Sequence, residues 1–360
     1  MKARVARLRE GSIEAKPTLS HERALLLTDF YRSGEAEKVS VPVGRALAFR
    51  YLLQNKVLYI GEDELIVGER GAAPKATPTY PEICIHSQKD LEILRSREKI
   101  SFNVSGEAKE VYRDTIEPFW RGRSLRDRMF REVDDSWKEA YKAGIFTEFM
   151  EQRAPGHTVL DDKIYRKGFL EFKKEIVERI LKLDFFGDPE AFQKREELKA
   201  MVIAADALIM FAGRYADRAE ELAEREGNGD RKAELKEIAE ICHRVPAHVP
   251  LTFREALQYY WFVHLGVITE LNTWDSFNPG RLDQHLFPFY ERGLSEGTLT
   301  REYARELLQS FWVKFNNQPA PPKVGITARE SSTYTDFCLI NIGGLTRNGA
   351  DGVNECTYLI

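Results

Sequence analysis

Four stretches of this chain break the rule that connections are short, polar and featureless. They span residues 148–159, 272–284, 314–323 and 331–337, the last leading into Asn341-Ile342-Gly343-Gly344. Each sets aromatic residues beside Asp, Asn, Gln or Arg and bends the backbone with Gly or Pro, or lies next to such a bend. Polar groups among aromatic ones are costly to bury unless paired, so such stretches tend to line a pocket. A single one reads as a buried corner turn; four in one chain point to a buried polar cavity.

The rest of the chain supplies a helical frame. Apolar residues recur at three- and four-residue spacing over 20–32 and 44–53, and residues 1–56 read as helix with short breaks. A long amphipathic helix is expected from about Pro189 to Glu226, ended by Gly227-Asn228-Gly229, with a second over 231–243. Residues 109–142 read as helix interrupted near Pro118 and Gly122. Thr252-Phe253-Arg254-Glu255 reads as a capping box opening a helix with the face Phe253, Ala256, Leu257, Tyr260, Trp261 and Leu265. Thr300 caps another, with a face from Tyr303 through Phe315; both faces are wide enough for a large core. The apolar runs 57–60 and 65–67, around Gly61-Glu62-Asp63, predict a small hairpin or two short strands. Residues 70–90, rich in Pro and Gly, read as an ordered excursion over the surface.

Composition then excludes several roles. The 360 residues are 43% hydrophobic and 31% charged, as in a globular protein with a real core, and the size allows one large or two ordinary domains. A net charge of −4 gives no electrostatic reason to expect nucleic acid or an anionic membrane as partner. No apolar run approaches the ~20 residues that span a bilayer, and the basic N-terminus leads into no apolar stretch, so a cytoplasmic location is expected. Cys84, Cys242, Cys338 and Cys356 match neither a zinc nor an iron–sulfur spacing and read as reduced thiols.

Six segments together resemble a known family. The four above, with Glu117-Pro118-Phe119-Trp120-Arg121-Gly122-Arg123-Ser124 and Pro250-Leu251-Thr252-Phe253-Arg254-Glu255-Ala256, resemble the N-terminal half of glycyl radical enzymes of the pyruvate formate-lyase type. The match is closer to the dehydratase and lyase branch, which includes glycerol, propanediol and hydroxyproline dehydratases, than to pyruvate formate-lyase itself. The resemblance implies an α/β fold: one half-barrel of a ten-stranded barrel, surrounded by many helices. It implies that residues 1–360 are the N-terminal portion of that domain, ending before the thiyl Cys loop, its Glu base and the C-terminal glycyl radical domain. None of the four Cys has a Glu two positions later, and Cys356 reads as a helix residue.

The function so implied is radical elimination of water, or a similar leaving group, from a small hydroxylated substrate. The implied substrate-binding residues are Phe149, His157, Asp275, Ser331, Asp336 and Phe337. His157 resembles the His that holds a substrate hydroxyl in glycerol dehydratase, and equally suits an anchor for the turn after Pro155-Gly156. Asp275 aligns with Asp in the hydroxyproline enzyme, whereas His157 stands where that enzyme has Tyr and Trp274 where the glycerol enzyme has His. Carboxylates favour a neutral or zwitterionic substrate; a sulfonate would want Arg, and Arg153 either supplies it or fixes its own turn. The chain itself is expected to bind no cofactor or metal. The glycyl radical would lie in the C-terminal part, installed by an activating enzyme that uses S-adenosylmethionine and an iron–sulfur cluster. Anaerobic operation and a homodimer at full length are also implied. The fragment alone is expected to be inactive. The alternatives are a non-catalytic fragment or split subunit needing a separate C-terminal half, and a C–S or C–N lyase or formate acetyltransferase of the same family.

Overall fold

Strand pairing among the described residues is scarce and mostly parallel. The computed structural model describes residues 2–98, 100–146, 160–271, 278–330 and 340–360. Within them β1 (Thr18–Ser20) pairs in parallel with β2 (Ala76–Pro78), Leu19 standing opposite Thr77. Isolated parallel bridges join Thr18 to Asn103 and Gly280 to Ile340, and an antiparallel one joins Leu345 to Asp351.

Helices make up the rest of the frame. In chain order they are α1 (Ala3–Glu14), α2 (Glu22–Arg32), α3 (Val41–Asn55), α4 (Gln88–Ser96), α5 (Gly106–Val111), α6 (Glu117–Trp120), α7 (Leu125–Glu132) and α8 (Asp135–Lys142). The series continues with α9 (Phe169–Leu181), α10 (Ala191–Arg225), α11 (Gly229–Arg244), α12 (Phe253–Glu270), α13 (Leu282–Ser295), α14 (Arg301–Asn316) and α15 (Gly325–Glu330). The helices expected over 20–32, 44–53, 189–226 and 231–243 correspond to α2, α3, α10 and α11. The break near Gly122 is real, but the helical backbone runs on through Pro118: a π turn over Tyr112–Ile116 joins α5 to α6 just before it.

The core is built around α12, which is buried on nearly every side. Gly266 is where α10 crosses it: a Cβ there would lie 2.5 Å from a Leu208 methyl carbon. Along α10 the buried stripe alternates Leu208, Phe211 and Tyr215 with the small residues Ala205, Ala207, Ala212, Ala216, Ala219 and Ala223, and α3 and α11 pack against this helix. The caps form as expected, with one difference. Thr252 Oγ1 accepts the Glu255 N–H (3.1 Å), but the Glu255 carboxylate takes the Leu251 N–H (2.5 Å) rather than that of Thr252.

Two expectations fail. Residues 57–67 form no hairpin, because helix side chains satisfy the backbone groups that a partner strand would have taken. Gln258 brackets Val67, accepting its N–H (2.8 Å) and donating to its carbonyl (2.9 Å). Arg254 donates to Leu65 O, Arg231 to Glu64 O and Gly61 O, and Trp261 Nε1 to Gly68 O. Residues 70–90 are no surface excursion either. Thr77, Thr79, Tyr80, Ile83, Cys84 and His86 are all buried, and Tyr80 donates to Ile268 O in α12 (2.5 Å).

Candidate active-site framework

The six candidate substrate residues, Phe149, His157, Asp275, Ser331, Asp336 and Phe337, lie outside the described residues. What the structure gives is the frame that brackets them. Asn341 N–H reaches Gly280 O (3.3 Å) in the parallel bridge between Gly280 and Ile340. The described ends of the chain after 272–277 and after 331–339 are therefore neighbours, running in the same direction.

The chain re-emerges after 147–159 beside the same element. Leu160 and Asp161 have φ of 54° and 50°, left-handed values that non-glycine residues seldom adopt and that cluster near functional sites. Asp161 Oδ1 lies 3.3 Å from His285 Nε2 on α13, the helix that follows Gly280. Burial lowers the His285 imidazolium below its ordinary value even though Asp161 and Asp162 pull the other way. Its ring packs on Tyr165, 5.3 Å between centroids, whose phenol burial pushes well up. The described residues that follow 147–159, 272–277 and 331–339 thus meet at the start of α13. Asp283, fully buried there, accepts from Gly343 N–H and from the Thr357 hydroxyl (both 2.6 Å) and so pins the last twenty residues to the same place.

The remaining stretch, 314–323, has a different job. Lys314 Nζ donates to Glu64 Oε1 and Glu69 Oε1, both at 2.5 Å, with all three side chains almost wholly buried. Gln318 Nε2 (2.5 Å) and Asn317 Nδ2 (3.2 Å) complete the Glu69 carboxylate, and the Ser12 hydroxyl donates to Asn317 Oδ1 (2.6 Å). Arg70 holds Pro319 O, and His86 Nε2 lies 3.1 Å from Pro322 O. This stretch is a buried polar core that ties α14 and the turn after it to residues 64–70. Sequence reading missed Glu64, Glu69 and Arg70 as its partners. The available signal was a run of charged residues inside the apolar stretch 64–70, each needing a buried mate from far along the chain.

Other titratable groups are accounted for by packing. The Cys242 thiol is raised by burial, and that of Cys356, in a 3₁₀ turn, is pushed up to about 12 by burial and then by Asp283 and Glu355. Among the described residues no helix is long and apolar enough to cross a membrane. Asp217, Glu220 and His243 form the one group of three side chains there with metal-ligand spacing; all are exposed, and His243 sits 3.2 Å from Glu220.

Comparison with known proteins agrees with this frame. The pyruvate formate lyase-like family model matches residues 1–360. Trans-4-hydroxy-L-proline dehydratase of Clostridioides difficile is 54% identical over 357 residues, covering 99% of this chain and 45% of that protein. Isethionate sulfite-lyase of Nitratidesulfovibrio vulgaris is 32% identical over 369 residues, covering 99% of this chain and 44% of that protein. The crystal structure of the Clostridioides difficile hydroxyproline dehydratase with trans-4-hydroxy-L-proline bound superposes with a TM-score of 0.95 at 53% identity, over 100% of this chain and 45% of that one. A structure describing 1,2-propanediol dehydration in Roseburia inulinivorans gives 0.91 at 31%, over 100% and 42%. The chain spans less than half the length of these relatives. Its fold is that of part of the glycyl radical enzyme barrel, mostly helical with short parallel strand pairs, as expected. From Met1 to Ile360 this chain belongs to the pyruvate formate lyase-like family of glycyl radical enzymes.

Proposed function

We propose that this chain is the N-terminal, substrate-facing part of a glycyl radical dehydratase whose substrate is trans-4-hydroxy-L-proline or a close hydroxylated zwitterion. The observation that carries this reading is the gap in similarity. The hydroxyproline enzyme stands at 54% identity across the chain, whereas the sulfite-lyases stand near 30%. On this reading residues 1–360 precede the thiyl Cys loop and the glycyl loop, which belong to the C-terminal part of the complete polypeptide.

Phe149, His157, Asp275, Ser331, Asp336 and Phe337 are then the residues that hold the substrate. The radical, once installed, would supply hydrogen-atom abstraction at a substrate carbon next to the one that bears the leaving hydroxyl. The chain's own residues orient that hydroxyl and supply it with hydrogen bonds, so that it leaves as water when a proton reaches it. Asp275 and Asp336 suit an ammonium or a hydroxyl donor, and His157 suits the hydroxyl oxygen. An activating enzyme that uses S-adenosylmethionine and an iron–sulfur cluster, and a homodimeric assembly, belong to the same proposal.

The test uses the complete polypeptide that contains this chain, activated anaerobically and checked for its glycyl radical by electron paramagnetic resonance. It is offered trans-4-hydroxy-L-proline, glycerol, propane-1,2-diol and isethionate in parallel. Loss of water from hydroxyproline at the highest kcat/KM supports the reading. Preferred release of sulfite from isethionate, or a radical-bearing enzyme that turns over none of the four, overturns it.

A further inference from the structure

Two guanidinium groups stand unpaired at the mouth of a cleft in which the other charges are matched. The cleft, about 430 Å³, lies between α2, α3 and the turn from α6 into α7, with the end of α12 at one side. Its floor is apolar: Leu27 and Leu52 are 4% and 2% exposed, and Phe49 and Trp120 are buried beside them. The Trp120 indole N–H is already spent on Thr28 Oγ1 (2.9 Å), so this wall offers the cleft no donor.

Four arginines and two glutamates also line the cleft, and the pairing among them is uneven. Arg23, buried, places Nη1 (3.2 Å) and Nη2 (2.7 Å) on the Glu82 carboxylate. Its remaining donors go to carbonyls: Nε to Thr269 O (2.7 Å), Nη1 to Thr79 O (3.2 Å) and Nη2 to Glu270 O (3.3 Å). Arg45 covers both carboxylate oxygens of Glu270, at 2.5 and 2.7 Å. Each glutamate thus has a guanidinium of its own. Among the described residues Arg123 and Arg128 have no such mate. Both are exposed, and the Arg123 guanidinium lies over the Phe119 ring, 4.5 Å from its centroid. The lining is left with an excess of two positive charges beside a buried apolar wall.

Exposed arginines alone are ordinary surface groups. Here they flank a recess able to take a hydrocarbon body out of water, and the two features select the same kind of molecule. We propose that this cleft is a binding site for a small carboxylate with an apolar body about the size of one aromatic ring. The body lies against Leu27, Phe49, Leu52 and Trp120. The carboxylate meets Arg123 and Arg128, whose planar forks match its two oxygens. A neutral molecule of the same shape leaves those forks unmatched, and a bare anion has nothing to place on the wall. A zwitterion is a poor ligand, because its ammonium would sit beside the excess guanidinium charge. None of the lining residues is among the six assigned to the substrate above.

Titration calorimetry on the complete polypeptide that contains this chain tests the proposal without installing the radical. The probes are 4-phenylbutyrate, its neutral counterpart 4-phenylbutanamide, and acetate. 4-Phenylbutyrate should bind with a Kd of about 1 mM or below, as expected for a ligand of its size. The amide should bind at least about tenfold more weakly and acetate not measurably, since each lacks one of the two contacts. This comparison uses the unsubstituted protein and so carries the test without any variant. Arg123→Gln combined with Arg128→Gln should weaken 4-phenylbutyrate by about tenfold while the melting temperature stays unchanged, because both side chains lie in solvent.

Several outcomes overturn the proposal: no binding of 4-phenylbutyrate at millimolar concentration, equal affinity for acid and amide, or an affinity untouched by the double substitution. Displacement of the probe by trans-4-hydroxy-L-proline also overturns it, by showing that the probe shares the substrate's site. Turnover enters none of these readouts, so they stand whether or not hydroxyproline proves to be the substrate.

Discussion

Lys314 and Glu69 are 245 residues apart in sequence and 2.5 Å apart in the structure. The ammonium bridges that carboxylate to Glu64, and together they tie α14 to the irregular stretch that stands in place of a hairpin. Burial alone pulls the Lys314 ammonium down, and the two carboxylates more than offset this, so its net shift is upward. Replacing Lys314 by Met leaves two buried carboxylates without their cation. Breaking such a group from one side costs about 3–5 kcal/mol. Chemical unfolding should show that loss for Lys314→Met and a smaller one for Lys314→Met combined with Glu69→Gln, which removes one orphaned charge.

Gln258 makes a sharper test of why residues 57–67 are not strands. Its amide takes the Val67 N–H and gives a hydrogen to the Val67 carbonyl, as a neighbouring strand would. Gln258→Leu keeps the volume and leaves both backbone groups buried and unpaired, at a cost of about 2–4 kcal/mol. Gln258→Glu keeps the acceptor and loses the donor. Unfolding midpoints in the order wild type, Glu, Leu are not the expectation, because a buried charge adds its own penalty; Glu should be at least as damaging as Leu.

These two sites show what was legible in the sequence. Periodicity and caps are local, so α2, α3, α10, α11, α12 and α14 could be read from spacing and from Thr252 and Thr300. The 57–67 region misleads because its apolar run has the strand signature, while the partners that decide its conformation, Arg231, Arg254, Gln258 and Trp261, lie on helices 167 to 193 residues away. The 70–90 stretch misleads because Pro and Gly mark irregular backbone, which is usually at the surface and here is buried under α12. Of the four pocket-like stretches, 314–323 is a polar core whose partners were invisible locally. The family resemblance rested on motifs rather than periodicity, and it reached the fold that the structural comparisons give.

Lys56 provides a prediction in pH. Its ammonium is buried, donates to Glu69 O (2.7 Å) and is lowered from 10.5 to about 8, chiefly by desolvation and despite the pull of Glu22 and Glu69. Between those two values the unfolded chain keeps a proton that the folded chain has released. Stability should therefore rise as pH increases from about 8 toward 10.5, and below pH 8 the folded protein carries the full cost of the buried charge. Lys56→Met should flatten that slope. Urea unfolding from pH 7.5 to 10 measures it, and a slope unchanged by Lys56→Met would locate the linkage elsewhere.

Asp283 governs how the last twenty residues are held against α13. One of its oxygens accepts from both Gly343 N–H and the Thr357 hydroxyl, and the other from Gln284 N–H (2.8 Å). An asparagine at this position can present only one acceptor oxygen, so one set of donors would face an amide NH₂. Asp283→Asn should therefore cost about 1–3 kcal/mol and speed amide exchange over residues 341–358. The Cys356 thiol reports the same event. Burial, then Asp283, holds its pKa near 12, so loss of the charge and loosening of the turn both make it more reactive. Alkylation of Cys356 should be faster in Asp283→Asn than in wild type. Thr357→Val removes the hydroxyl that donates to Asp283 and accepts the Asn354 N–H (3.0 Å) but leaves the Gly343 bond, so its effect on exchange over residues 341–346 should be smaller. Equal rates in the two variants would mean that the hydroxyl, not the backbone of Gly343, is what Asp283 chiefly restrains.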